Sequence, residues 1–116
     1  MKARHQSSAE QEFDLDIQAA TVAQACQDVL KELGSVKSIS RESGIINGEI
    51  SNGMTNPSVI SIHISRITES RTKLKVSLVR KEGWVTSGHG AQDNLASFAD
   101  ALVRHPRIAG KTTTGW

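Results

Sequence analysis

What most constrains this chain is the order in which two hydrophobic periodicities follow one another. Phe13, Leu15 and Ile17 alternate with Asp14 and Asp16, the period-two pattern of a half-buried strand. Val22, Ala25, Cys26, Val29, Leu30 and Leu33 then repeat at helical spacing and stop at Gly34. A long strand-like stretch follows. A second helical stripe, Leu95, Phe98, Ala99, Leu102 and Val103, lies within about Gln92 to His105 and stops at Pro106. The order predicts β-α-β-β-β-β-α, an α+β domain with an antiparallel sheet and two helices packed on one of its faces.

The clearest alternation in the strand-like stretch sets the face. Ile60, Ile62 and Ile64 point one way, with Ser61, His63 and Ser65 the other; Leu74, Val76 and Leu78 point inward, with Lys73, Lys75, Ser77, Val79 and Lys81 outward. A slip of one residue would bury His63 or Lys75. Ile46, Gly48 and Ile50 alternate in a further strand. Val36 to Glu42 is polar and weakly patterned, as an edge or bulged strand can be. Thr21 is placed to cap the first helix, and Gly34 to end it in a left-handed conformation. With 116 residues the chain makes one domain, expected over residues 12–105, between mobile polar tails at 1–11 and 106–116.

Composition narrows the function classes. Aromatics are 3% of the chain, so the core is aliphatic, and the net charge of +2 is far from the imbalance of a dedicated nucleic-acid binder. The single Cys26 excludes an internal disulfide and a cysteine zinc cluster, and its place in the helical stripe reads as a small buried hydrophobe. His5, His63, His89 and His105 are scattered without ligand spacing, so no metal and no cofactor are expected. No stretch is long and apolar enough to span a membrane, and no leader precedes the domain; the chain as given reads as cytoplasmic, or as periplasmic or envelope-bound if a leader has been removed.

Three features could carry function. Ser87-Gly88-His89-Gly90 precedes the second helix, where free backbone N–H groups bind anions, but Asp93 stands where a dinucleotide fingerprint would need its third glycine and would repel a phosphate. Ser61 and Ser65 flank His63, yet residues two apart on a strand stand about 6–7 Å apart, beyond the reach of short side chains. Lys73 and Lys75, with Arg66, Arg71 and Lys81, could form a basic stripe on the exposed sheet face, although no aromatic platform for stacking bases accompanies them. Trp84 in the glycine-rich loop either packs over the sheet or anchors a partner.

Three segments taken together resemble a known pattern. These are the strand beginning at Phe13, the run Val22-x-x-Ala25-x-x-x-Val29-Leu30-x-x-Leu33-Gly34, and Ser40-Arg41-Glu42-x-Gly44-x-Ile46-x-Gly48. The pattern is that of small bacterial α+β domains of unknown function, several of them envelope lipoproteins. The resemblance implies an uncharacterised domain that is not an enzyme and carries over no functional residue. The sequence therefore leads to the expectation of a non-catalytic binding or structural domain, monomeric or weakly dimeric, whose partner the sequence does not identify, a protein being one option. Weak nucleic-acid or anion binding through the basic sheet face and the 83–90 loop is the alternative. Candidate contact residues are His63, Lys73, Lys75, Trp84, Gly88, His89 and Gly90.

Overall fold

The computed structural model describes residues 6–50, 58–81 and 90–109. In chain order these form β1 (Gln6–Leu15), α1 (Ala19–Leu33), β2 (Gly34–Ser40), β3 (Ile45–Ile50), β4 (Ser58–Thr68), β5 (Arg71–Lys81) and α2 (Gly90–Arg104). The strands build one antiparallel sheet in the order β1-β5-β4-β3-β2. The expected α+β architecture is what the chain adopts. α2 lies over β1 and β5, α1 over β2, β3 and β4, and the two helices touch.

The phase of the alternation is as expected. Ile60, Ile62, Leu74, Val76 and Leu78 are fully buried, Ile64 is half-buried, and His63 and Lys75 are exposed. Cross-strand pairing turns this phase into rows under the helices. Ile39, Ile46, Ile62 and Val76 form one row, and Ile64, Leu74 and Phe13 another. Phe98, Leu95 and Leu102 of α2 and Val22, Cys26, Val29 and Leu30 of α1 close the core from above. A buried hydroxyl fixes the turn into α1: Thr72 Oγ1 donates to the Ile17 carbonyl at 2.7 Å.

Several expectations are corrected. β1 starts at Gln6 rather than near residue 12, because residues 6–15 pair along β5 from Lys81 to Thr72. Its first half carries no visible alternation, since the inward positions there are Ala9 and Gln11. At the other end, the segment after Pro106 is not free. His105 N–H donates to the Leu102 carbonyl at 3.1 Å, and Ile108 and Ala109 N–H both donate to the His105 carbonyl at 2.9 Å. That turn folds Ile108 back into the core, where it is fully buried. Residues 1–5 and 110–116 lie outside the described residues.

The ends of α1 also differ from expectation. Its N-cap is Gln18, not Thr21, in extended conformation and without a side-chain cap. Gly34 does not take the left-handed conformation; its φ is −177°. Glycine is required there because a Cβ would overlap the Glu49 carbonyl oxygen of the paired strand. The left-handed glycine is Gly44 (φ 69°), which closes the β2–β3 turn. Its carbonyl accepts from Ile64 N–H at 2.7 Å, pinning that turn to β4. As expected, β2 is an edge strand, and it is bulged between Val36 and Ser38.

Cys26 is fully buried, and burial pushes its thiol up to about 12. In native buffer at mildly alkaline pH it should resist a thiol-specific reagent and become reactive only in denaturant; rapid native labelling would contradict its packing. Ile62→Ala should cost about 2–5 kcal/mol as a core cavity, while His63→Ala should leave the urea midpoint nearly unchanged. Equal losses from the two would refute the register.

Candidate ligand-binding groove

The sequence pointed to the outer sheet face, and the register of β1 changes its character. Glu10, Glu12 and Asp14 face outward opposite Ser77, Lys75 and Lys73. Each lysine reaches diagonally to an acid: Lys75 Nζ lies 3.3 Å from Glu10 and Lys73 Nζ 3.8 Å from Glu12, while Arg71 pairs with Asp16 at 3.5 Å. Ser77 Oγ donates to Glu10 at 3.0 Å, and this bond, with the Lys75 ammonium, holds the Glu10 carboxyl below its ordinary value. The expected basic stripe is therefore a ladder of paired charges. Only the long-range β1–β5 pairing brings the acids there. His63 is exposed opposite Lys75 and Ile45. Gly90 opens α2. Trp84, Gly88 and His89 lie outside the described residues. Among the described residues no three His, Cys, Asp or Glu side chains gather to hold a metal.

A groove forms on the other face, at the end of the sheet where α1 begins. The buried stripe of α1 starts at Val22. Beside it runs a second stripe, Ala19, Ala20, Ala23, Gln24 and Gln27, which faces the β2–β3 turn. An alanine ends one methyl from the backbone, so this flank of the helix leaves space beside the β2–β3 turn even though Ala23 touches the edge of the core. The gap measures about 570 Å³, within the range of small-molecule sites. Ile39, Ile46 and Ile64 supply its apolar wall, with Ile45 at its edge. Ile39 is 45% exposed, a large aliphatic side chain left half uncovered on an edge strand.

The charged groups lie at one rim: Arg41 and Glu42 come from the turn with Ser43, Ser40 ends β2, and Arg66 comes from the end of β4, while Gln24 and Gln27 of α1 add amides to the helix side. Arg66 is in phase with Ile60, Ile62 and Ile64, so it projects to the helix side of the sheet. Neither Arg41 nor Arg66 has an ion-pair partner among the described residues. The neighbouring end of α1 has no acidic residue in its first turn, so no side chain of that turn offsets the positive end of the helix dipole.

A second hollow, of about 640 Å³, lies between the helices and is bordered mainly by charged and polar groups, among them Asp28, Glu32, Asp100 and Arg104. Its central feature is a latch. His105 Nδ1 accepts from Arg107 N–H at 3.1 Å, so Nε2 carries the ring proton and donates to Asp28 Oδ2 at 3.0 Å. Gln24 Nε2 donates to Asp28 Oδ1 at 3.1 Å. With both ring nitrogens engaged, His105 fastens the C-terminal turn to α1. At the far end of β4 from the groove, Asn94 of α2 is fully buried and donates to Ser58 Oγ at 2.6 Å, while its Oδ1 has no partner among the described residues.

No family model matches the chain, and no characterised sequence matches it. Solved structures do match in fold. A norcoclaurine synthase from Thalictrum flavum superposes with a TM-score of 0.63 at 11% identity, covering 88% of this chain and 94% of that one. A START superfamily protein from Mycobacterium smegmatis gives 0.61 at 12% identity, covering 86% and 94%. A conserved protein of unknown function from Enterococcus faecalis gives 0.56 at 10% identity, covering 97% and 82%. The chain is thus similar in fold to START/Bet v1-like proteins, and the resemblance to envelope-lipoprotein domains finds no support among these matches. The expectation that the chain is not an enzyme is overturned. One fold neighbour is a synthase, and a missing motif says little where function lives in sites grafted onto a shared fold.

The latch gives a pH dependence of defined sign. The hydrogen bonds from His105 first, and then from Gln24, hold the Asp28 carboxyl below its ordinary value. The folded state therefore binds that proton more weakly than the unfolded state. The contribution is present above the unfolded carboxylate value of about 3.9 and is lost as pH falls through the lower folded value. Asp28→Asn should flatten the acid limb of a plot of urea midpoint against pH; an unchanged acid limb would show that the latch contributes nothing.

Proposed function

We propose that this domain binds a small, largely apolar molecule in the groove between the start of α1 and the β2–β3 turn. The observation that carries the reading is the unfilled space itself: alanines at positions 19, 20 and 23 stand opposite isoleucines at 39, 46 and 64. Covering 100 Å² of that isoleucine wall would contribute on the order of 2.5 kcal/mol, before the costs of association. The fold supports the reading. A norcoclaurine synthase from Thalictrum flavum, similar in fold at a TM-score of 0.58, is known in complex with dopamine and hydroxybenzaldehyde, both small molecules. A groove of this kind serves a carrier and an enzyme equally well.

The test is to fill the groove from within. Wild-type protein should enhance and shift the fluorescence of the uncharged probe N-phenylnaphthylamine in a saturable titration. Ala23→Leu projects a larger side chain into the gap and should weaken binding roughly tenfold with an unchanged melting temperature. Full-strength binding by a folded Ala23→Leu variant would place the probe elsewhere and refute the reading.

A further inference from the structure

We infer that the molecule bound in the groove carries an anionic head, a carboxylate or sulfonate on an apolar body, held at the rim by Arg41 and Arg66. The inference rests on the groove reading above and names the chemistry it selects. Two observations lead to it. The wall is aliphatic, and the charge is gathered at one edge, so the site is amphipathic in the same sense as such a ligand. The rim also has a sign. It holds two arginines and one acid, Glu42, and neither arginine has an ion-pair partner among the described residues.

The contrast with the rest of the domain gives that sign its weight. Lys37, Arg71, Lys73, Lys75 and Arg104 each lie beside a carboxylate, at 3.3–3.9 Å. Lys31 and Arg107 also lack an ion-pair partner among the described residues, but only Arg41 and Arg66 stand together at an apolar groove. A guanidinium offers a fork of donors that matches the two oxygens of a carboxylate or sulfonate. The pair also comes from two separate elements. The Gly44 carbonyl bond to Ile64 N–H holds the turn bearing Arg41 against the strand bearing Arg66, so the two backbone positions are held at one rim.

The test compares two probes that differ by one group, anilinonaphthalene sulfonate and uncharged N-phenylnaphthylamine, titrated into the wild-type chain at low salt. The sulfonate should bind roughly fivefold or more tightly than the neutral probe, and the margin should narrow as salt rises. Arg41→Gln/Arg66→Gln should abolish the preference, bringing the affinity for the sulfonate down to that for the neutral probe in a variant whose circular dichroism shows it folded. Arg41→Lys/Arg66→Lys should restore most of it. Equal binding of the two probes to wild type, or a preference that survives the double glutamine variant, would overturn the arginine assignment; the groove reading would still stand if Ala23→Leu weakens the neutral probe. Binding of neither probe would overturn both.

Discussion

The pairing of β4 with β5 governs the rest of the domain. Ile60 sits opposite Leu78, Ile62 opposite Val76 and Ile64 opposite Leu74, and all six point to one face. A one-residue shift of either strand would exchange these side chains for His63, Ser61 and Lys75 and bury an unpaired charge. With the face fixed, both amphipathic helices have only one place to go. β3 and β1 then extend the same rows on either side, and Phe13, Leu15, Ile46 and Ile50 become core.

The groove is a consequence of where that core stops. The row from Ile39 through Ile46 and Ile62 to Val76 is covered in its middle by α1. Towards β2 and the β2–β3 turn the helix presents Ala19, Ala20 and Ala23 instead of branched side chains. The same sheet end carries Gly44, whose left-handed turn brings Arg41 and Glu42 over the opening. The outer face is different in kind. Its lysines stand against acids of β1, so its charge is spent on cross-strand pairing, whereas the groove rim keeps its cations available. The two faces thus divide the labour: one is solvated and self-paired, the other holds the core and, at its end, the open site.

The sequence carried the fold well because the fold follows from local alternation. Ile60 to Leu78 could be read directly, as could the two helical stripes and the edge character of β2. What escaped was set by contacts distant in sequence. The first half of β1 is polar, and it is a strand because β5 supplies its hydrogen bonds. Ile108 is a single apolar residue with no period, buried through a turn that His105 anchors to Asp28 on α1. Lys73 and Lys75 looked like a free basic stripe because their acids sit some sixty residues earlier in the chain, as the register of Glu12 with Lys75 shows. The groove was the least legible feature. It is defined by what Ala19, Ala20 and Ala23 fail to fill, and alanine, the strongest helix former, marks nothing in a helical stretch of sequence.

The most direct measurement of the central claim is solution NMR with methyl-labelled protein and bound N-phenylnaphthylamine, reading intermolecular NOEs between the probe and individual methyl groups. The groove account predicts NOEs to the methyls of Ala23, Ile39 and Ile64, with none to Val59 and Val79 on the outer face. NOEs confined to Val59 and Val79, or to Leu33 and Ala101 beside the second hollow, would contradict it.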